Sequence, residues 1–225
     1  MAQKPRPEEA SAAAFVAELE AKRPKGGRVR MREIVALANR YVDMDPEEIE
    51  KLLEEPAHEA RIGAVSVMGK QAMRTSTTAA RKRELYELYL RRTDRIDTWD
   101  LVDVSAHHVV GGYLADKDRD VLYRLARSEK WWERRIAMFA TLHFIRRGEL
   151  DDTFALAEIV AEDEHEFVQT VTGGMLREAG KQHRARLLAF LDENAASMPR
   201  RALRDAVEKL EPHERAHYRS LRRDV

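Results

Sequence analysis

Residues 99–105, Trp99-Asp100-Leu101-Val102-Asp103-Val104-Ser105, begin a segment whose outline recurs along the chain. The pattern His58-x-x-Arg61-x-x-Ala64 precedes it, and Trp131-x-x-Arg134-x-x-Ala137 and His165-x-x-Val168-x-x-Val171 follow, at steps of 41, 32 and 34 residues. Apolar residues at three- and four-residue spacing mark each as the start of a helix. A unit of roughly 35 to 45 residues suits a pair of helices, which leaves one apolar face uncovered until it stacks on its neighbour. The expected fold is all-α, a curved solenoid of helix-pair repeats with an extended concave surface. A non-repetitive helical bundle satisfies the same periodicity.

Outward from these segments the chain stays helical. It holds only 10 Gly and 7 Pro in 225 residues, and no segment alternates as a strand does. Pro24-Lys25-Gly26-Gly27 breaks a short helix at 12–22 from one at 31–42, where Ile34, Val35, Leu37, Ala38 and Tyr41 carry the apolar stripe. Asp45-Pro46-Glu47-Glu48 starts the next, with proline in the first turn, and that helix ends before Pro56. Residues 1–12 are expected to be a disordered terminus, and 13–225 one helical domain.

Composition removes several functions. Without cysteine there is no disulfide, thiolate metal site or cysteine nucleophile, and a reducing compartment, the cytoplasm, is the expected home. Apolar runs fall far short of the ~20 residues of a bilayer span, and residues 1–10 offer no apolar stretch for a signal peptide. His58-Glu59 and His165-Glu166 lack the second histidine of a zinc-binding helix, since Ile62 and Gln169 stand there, and His107 and His108, being adjacent, should diverge. No metal and no cofactor are expected. Gly111-Gly112 and Gly173-Gly174 match no phosphate loop, which leaves close helix packing as their use.

Lys plus Arg balances Asp plus Glu at 40 each, so net charge points to no partner, although 30 of the 40 bases are arginine. Locally the balance tips. Residues 70–95 carry eight bases (Lys70, Arg74, Arg81, Lys82, Arg83, Arg91, Arg92 and Arg95) against Glu84, Glu87 and Asp94, a surplus of +5. Thr75-Ser76-Thr77-Thr78 beside them offers hydroxyls and a helix cap. The segment reads either as a phosphate-binding face or as a solvated helical one.

Two clusters could carry chemistry. Asp97 or Thr98 can cap a helix start and Asp100 can serve its dipole, but Asp103 sits between Val102 and Val104, four residues from Trp99 and on the same face. A carboxylate beside an aromatic plane suits stabilisation of a cation developing in a cleft; spacing alone favours the other reading, a buried tryptophan with a structural Asp103 paired to an arginine. In Lys130-Trp131-Trp132-Glu133-Arg134-Arg135, adjacent side chains diverge by about 100°. At least one ring should therefore be core. One arginine can turn to a carboxylate such as Glu133 or Asp103 and the other to a phosphate.

With these residues laid out, the chain resembles the AlkD-type DNA alkylation repair glycosylases from about residue 31 to 191. The resemblance rests on Trp99-Asp100-Leu101-Val102-Asp103, Trp132-Glu133-Arg134-Arg135-Ile136-Ala137 and Gly174-Met175-Leu176-Arg177-Glu178. It implies a HEAT-like repeat solenoid that removes cationic N3- and N7-alkylated purines from duplex DNA without a metal or base flipping. By the same resemblance Asp103 is the catalytic aspartate, Trp99 the tryptophan lying against the lesion's backbone, and Arg134 the arginine supporting the DNA contact. Arg81, Lys82, Arg83, Arg135, Trp132 and Arg177 are the expected DNA-binding residues of a monomer. Where the family carries a second groove tryptophan before Leu-Arg-Glu, this chain has Gly174, which removes an aromatic wall. The alternative is a non-catalytic repeat module that binds DNA or a protein partner.

Overall fold

The structure, a computed structural model, describes residues 9–221. Every regular element among them is helical and none is a strand. The expected disordered start falls mainly on residues 1–8, which lie outside the described residues. From Ser11 onward the chain is ordered by a cap, the Ser11 hydroxyl accepting the Ala14 N–H at 3.2 Å. The described residues fall into two compact units, divided between Tyr113 and Leu114.

In the first unit the helices are α1 (Ala12–Ala21), α2 (Met31–Arg40), α3 (Pro46–Glu54), α4 (His58–Met73), α5 (Ala79–Arg91) and α6 (Trp99–Ala106), the last running into a π-helical turn at His107–Gly111. Proline leads α3 where its missing N–H costs nothing, and Gly26 takes φ +68° in the break before α2. The α4 helix is the centre of this unit, packed against α2, α3 and α6 and apolar on nearly all sides. Two glycines let its neighbours in. The ring of Phe15, fully buried on α1, occupies the space a Cβ on Gly63 would need, and Gly69 lies against the Val104 carbonyl and Ser105 of α6.

The second unit comprises α7 (Asp120–Ala126), α8 (Trp131–Ile145), α9 (Asp151–Ile159), α10 (Glu166–Gln182), α11 (Arg184–Asn194), α12 (Arg200–Ala206) and α13 (Pro212–Ser220). Here α10 is central, packed against α8 and α12. Buried leucine, isoleucine and phenylalanine side chains such as Ile136, Phe144, Leu176 and Leu191 form its core, each contributing roughly 1.5–3 kcal/mol. Three of the four aligned segments begin their helices on the aligned residue, at His58, Trp99 and Trp131, and in the fourth His165 is the N-cap.

The two members of the Gly173-Gly174 pair differ sharply. A Cβ on Gly173 would collide with the Ala202 carbonyl oxygen and lie 2.8 Å from the Asp205 Cβ, whereas one on Gly174 meets no heavy atom within 4 Å. Gly173→Ala should therefore lose about 1–3 kcal/mol through overpacking against α12. Gly174→Ala should gain about 0.5–1 kcal/mol through helix propensity. Chemical denaturation of the two variants beside the parent measures both, and a tolerated Gly173→Ala would refute the close α10–α12 contact.

Candidate active site

Trp99 and Asp103 stand one turn apart at the exposed start of α6. Trp99, at the first position of the helix, keeps 48% of its surface open, so the reading in which it is a buried core tryptophan is corrected. Asp103 is half-buried, neither sealed in the core nor projecting freely. Behind it the hydroxyl of Tyr89, wholly buried on α5, receives a weak hydrogen bond from Ser105 at 3.4 Å. Burial pushes the Tyr89 phenol well above its usual range, the negative charge of Asp103 pushes it further, and the Ser105 bond only partly opposes them. Tyr89 is thus a neutral group behind a carboxylate.

The start of α6 is tied to the start of α4 by two contacts. Arg61 donates to Asp97 at 2.7 Å and to the Arg95 carbonyl at 3.2 Å. It also donates to Nδ1 of His58 at 3.4 Å, which leaves Nε2 of that ring to donate to Asp100 at 2.7 Å. Asp100 in turn accepts from Thr98 and from the Leu101 N–H. Sequence reasoning placed His58 and Arg61 as repeat positions, set His58 aside as a zinc ligand and gave neither such a task; their i, i+3 spacing on one helix face was the available signal. Beyond α6 the π turn, a local widening of the helix often found at functional sites, brings the rings of His107 and His108 to 3.7 Å between centroids. The expectation that these neighbours diverge is corrected, because a wider turn advances less than 100° per residue.

The basic segment at 70–95 is largely neutralised. Asp43 pairs with Arg74, Asp45 with Arg81, Glu50 with Arg91 and Arg92, and Glu54 with Arg92 and Arg95. All four acids precede the segment in the chain, and a charge count within it could not register them. Arg83, exposed, pairs with Glu87 one turn on. Only Lys70 and Lys82 of the eight bases have no ion pair among the described residues. Thr78 does cap α5, accepting the Arg81 N–H at 3.2 Å.

In the second unit Arg134 is committed to the protein. It grips Asp163 through Nε at 2.5 Å and Nη2 at 3.0 Å, and Nη1 donates to the carbonyls of Ser128 and Glu129. Arg135, expected on DNA, is instead 4% exposed and donates to the Phe167 carbonyl, so a phosphate reaches it only if that bond is lost and the side chain leaves the core. Neither tryptophan at the start of α8 is fully buried, contrary to the expectation of a core ring. Trp131 stacks on His165 at 4.4 Å, while the buried Nε1 of Trp132 lacks a hydrogen-bond partner. Arg177 pairs with Glu208 at 2.5 Å.

The Asp100 contact has a pH signature. Burial alone would raise its pKa, but the hydrogen bonds from Thr98 and then His58 outweigh burial and hold the carboxyl below its usual value. Stability from a depressed carboxyl is fully present above the unfolded pKa of about 3.9 and is lost as pH falls through the folded value. The stability difference between the parent and Asp100→Asn should hence shrink as pH falls below about pH 4. Urea titrations across that range test this; a gap unchanged down to pH 3 would dissociate Asp100 from the clasp.

No curated protein matches the chain. The family model described as DNA alkylation repair enzyme, however, matches residues 9–210, which takes in both central helices, α6 and the whole α8 cluster. The chain belongs to the DNA alkylation repair enzyme family.

Proposed function

We propose that the protein is a monofunctional DNA glycosylase that hydrolyses the N-glycosidic bond of cationic N3- and N7-alkylated purines in duplex DNA. The observation that carries this reading is the pairing of an exposed tryptophan with a half-buried carboxylate one helical turn away, on a helix start clasped from behind. The matching Arg and Asp positions in the two units support helix-pair repeats of the HEAT-like kind as the scaffold.

An alkylated purine already carries positive charge, so its departure needs no general acid of the kind a glycosidase carboxylate pair supplies. The bond between C1′ and the purine nitrogen breaks with its electrons moving onto the base, which leaves neutral. The sugar becomes oxocarbenium-like, and the ionised Asp103 stabilises that charge and orients a water toward C1′. Oxygen of that water bonds to C1′, its proton passes to the carboxylate and on to solvent, and an abasic site remains. Trp99 packs its open face against the deoxyribose. Lys82 and the exposed Arg83 on α5, with Trp132, are the proposed DNA contacts, whereas Arg81 and Arg177 are held by Asp45 and Glu208. Arg134 acts as a positioning residue that holds the start of α8, since its donors are spent on Asp163 and two carbonyls.

Asp103→Asn should lower release of 7-methylguanine from methylated duplex by on the order of 100-fold or more while leaving affinity for undamaged duplex nearly unchanged. Gly174→Trp, at a position where a Cβ meets no heavy atom within 4 Å, should alter which alkyl adducts are released by restoring an aromatic wall. Base release measured by chromatography on parent and variants decides the matter. Undiminished release by Asp103→Asn would remove this carboxylate from the reaction, and no release by the parent with retained duplex binding would leave a DNA-binding module.

A further inference from the structure

Two basic clefts show how arginine-rich lining looks when the arginines serve the fold. Beside α5, Arg74 and Arg81 line a cleft together with Asp43 and Asp45, their own partners. Between α10 and the loop after α12, the bases Arg177, Lys181, Arg184 and Lys209 each meet a glutamate. A third cleft differs. Between α12 and α13 an open hollow of about 480 Å³ is lined by Arg200, Arg201, Leu203, Arg204 and Arg219, with no carboxylate among the described residues of its lining.

All four arginines are exposed. Arg201 reaches Glu166 and Arg204 reaches its neighbour Asp205, each at 3.2 Å. Arg219 has no carboxylate partner among the described residues, nor has Arg200, which donates to the carbonyls of Arg219 and Leu221, both at 3.0 Å. Those two bonds fasten the end of α13 to the start of α12, so the walls of the cleft are tied together before any ligand arrives. Four guanidinium groups thus line one opening, with two acids in reach among the described residues. Such a surplus repels itself until an anion enters, and a planar guanidinium matches two oxygens of a phosphodiester. Leu203 beneath them adds no polar group, so positive charge is what the cleft offers.

We propose that this cleft grips the phosphate backbone of duplex DNA, as an anchoring site of the second unit that is indifferent to the lesion. The proposal rests on duplex DNA being the substrate and not on the chemistry of Asp103. Arginines spread along an open hollow suit a run of phosphodiesters better than one small phosphate, and backbone contacts of this type supply affinity without sequence information.

Binding of the parent to an undamaged duplex, followed by fluorescence anisotropy across a salt series, gives the slope of log K against log salt. In the Arg204→Ala/Arg219→Ala double variant that slope should become shallower by two phosphate contacts, roughly 1.8, with affinity near 0.1 M salt lowered about tenfold. Arg204→Lys/Arg219→Lys should keep most of the slope, since lysine retains the charge. An unchanged slope in the alanine variant, absence of binding by the parent, or displacement of duplex by inorganic phosphate beyond its ionic-strength effect would each overturn the site. Base release on the same preparations keeps the two readings apart. Loss of slope without release by any protein counts against the glycosylase alone, and normal release with an unchanged slope counts against the cleft alone.

Discussion

The α6 helix presents Trp99 and Asp103 in a fixed direction only if its first turn is held, and a clasp of arginine on aspartate holds it. Arg61, three residues into α4, reaches Asp97, two residues ahead of Trp99. The second unit repeats the device. Arg134, three residues into α8, reaches Asp163, two residues ahead of His165, and Asp163 also accepts the His165 N–H at 2.9 Å. An exposed ion pair contributes about 0–1 kcal/mol, but these arginines are mostly shielded and donate to backbone carbonyls as well, so each bond approaches the roughly 1.5–3 kcal/mol of a charge-assisted hydrogen bond. Their value lies as much in direction as in energy: the donors of one guanidinium, bidentate on Asp163 and shared between Asp97 and the Arg95 carbonyl in the first unit, fix one helix start relative to the next.

That role fits a chain in which 40 Asp and Glu balance 30 arginines and 10 lysines. Among the described residues many guanidinium groups are spent between helices, as with Arg92, which pairs with Glu50, Glu54 and Asp94 at once, and Arg119, which joins Glu149 and Asp152. What can meet a phosphate is the small remainder whose acids are absent or lightly held. On α5 that remainder is Lys82 with the exposed Arg83, and at the end of the chain it is the set around Arg219. Composition is a poor guide to nucleic-acid contact here, because the spatial pairing of charges decides which bases stay available.

The helical architecture was legible because its signals are local. Periodicity, Pro46 at the first turn of α3 and the Thr78 cap all act within a few residues, and the starts at His58, Trp99 and Trp131 followed from aligning one turn of sequence. The candidate site was legible to the extent that Trp99 and Asp103 share one helix. What could not be read was long-range. The acids that quench residues 70–95 lie up to 42 positions earlier, the burial of Arg135 depends on a carbonyl 32 residues later, and nothing local separates Gly173, pressed against α12, from Gly174 in the open. The π turn after α6 likewise left no mark in a sequence whose apolar spacing continues unbroken through Val109 and Val110.

In the proposed reaction the intermediate exposure of Asp103 is the condition that matters. A carboxylate taken wholly out of water takes up a proton rather than remain charged, and a protonated acid cannot stabilise an electron-poor sugar. One standing fully in water keeps its charge but is screened, so its pull on a cation a few ångströms away fades. Asp103 lies between these limits, backed by the buried phenol of Tyr89, by Ser105 and by the Gly69 contact that lets α6 sit close upon α4. The approach of a duplex removes water from the open side at the moment when charge develops, which strengthens the attraction where it serves the transition state rather than the free protein. An exposed Trp99 one turn away supplies the surface on which that approach can end. The clasp beneath keeps the two side chains from drifting apart while it happens.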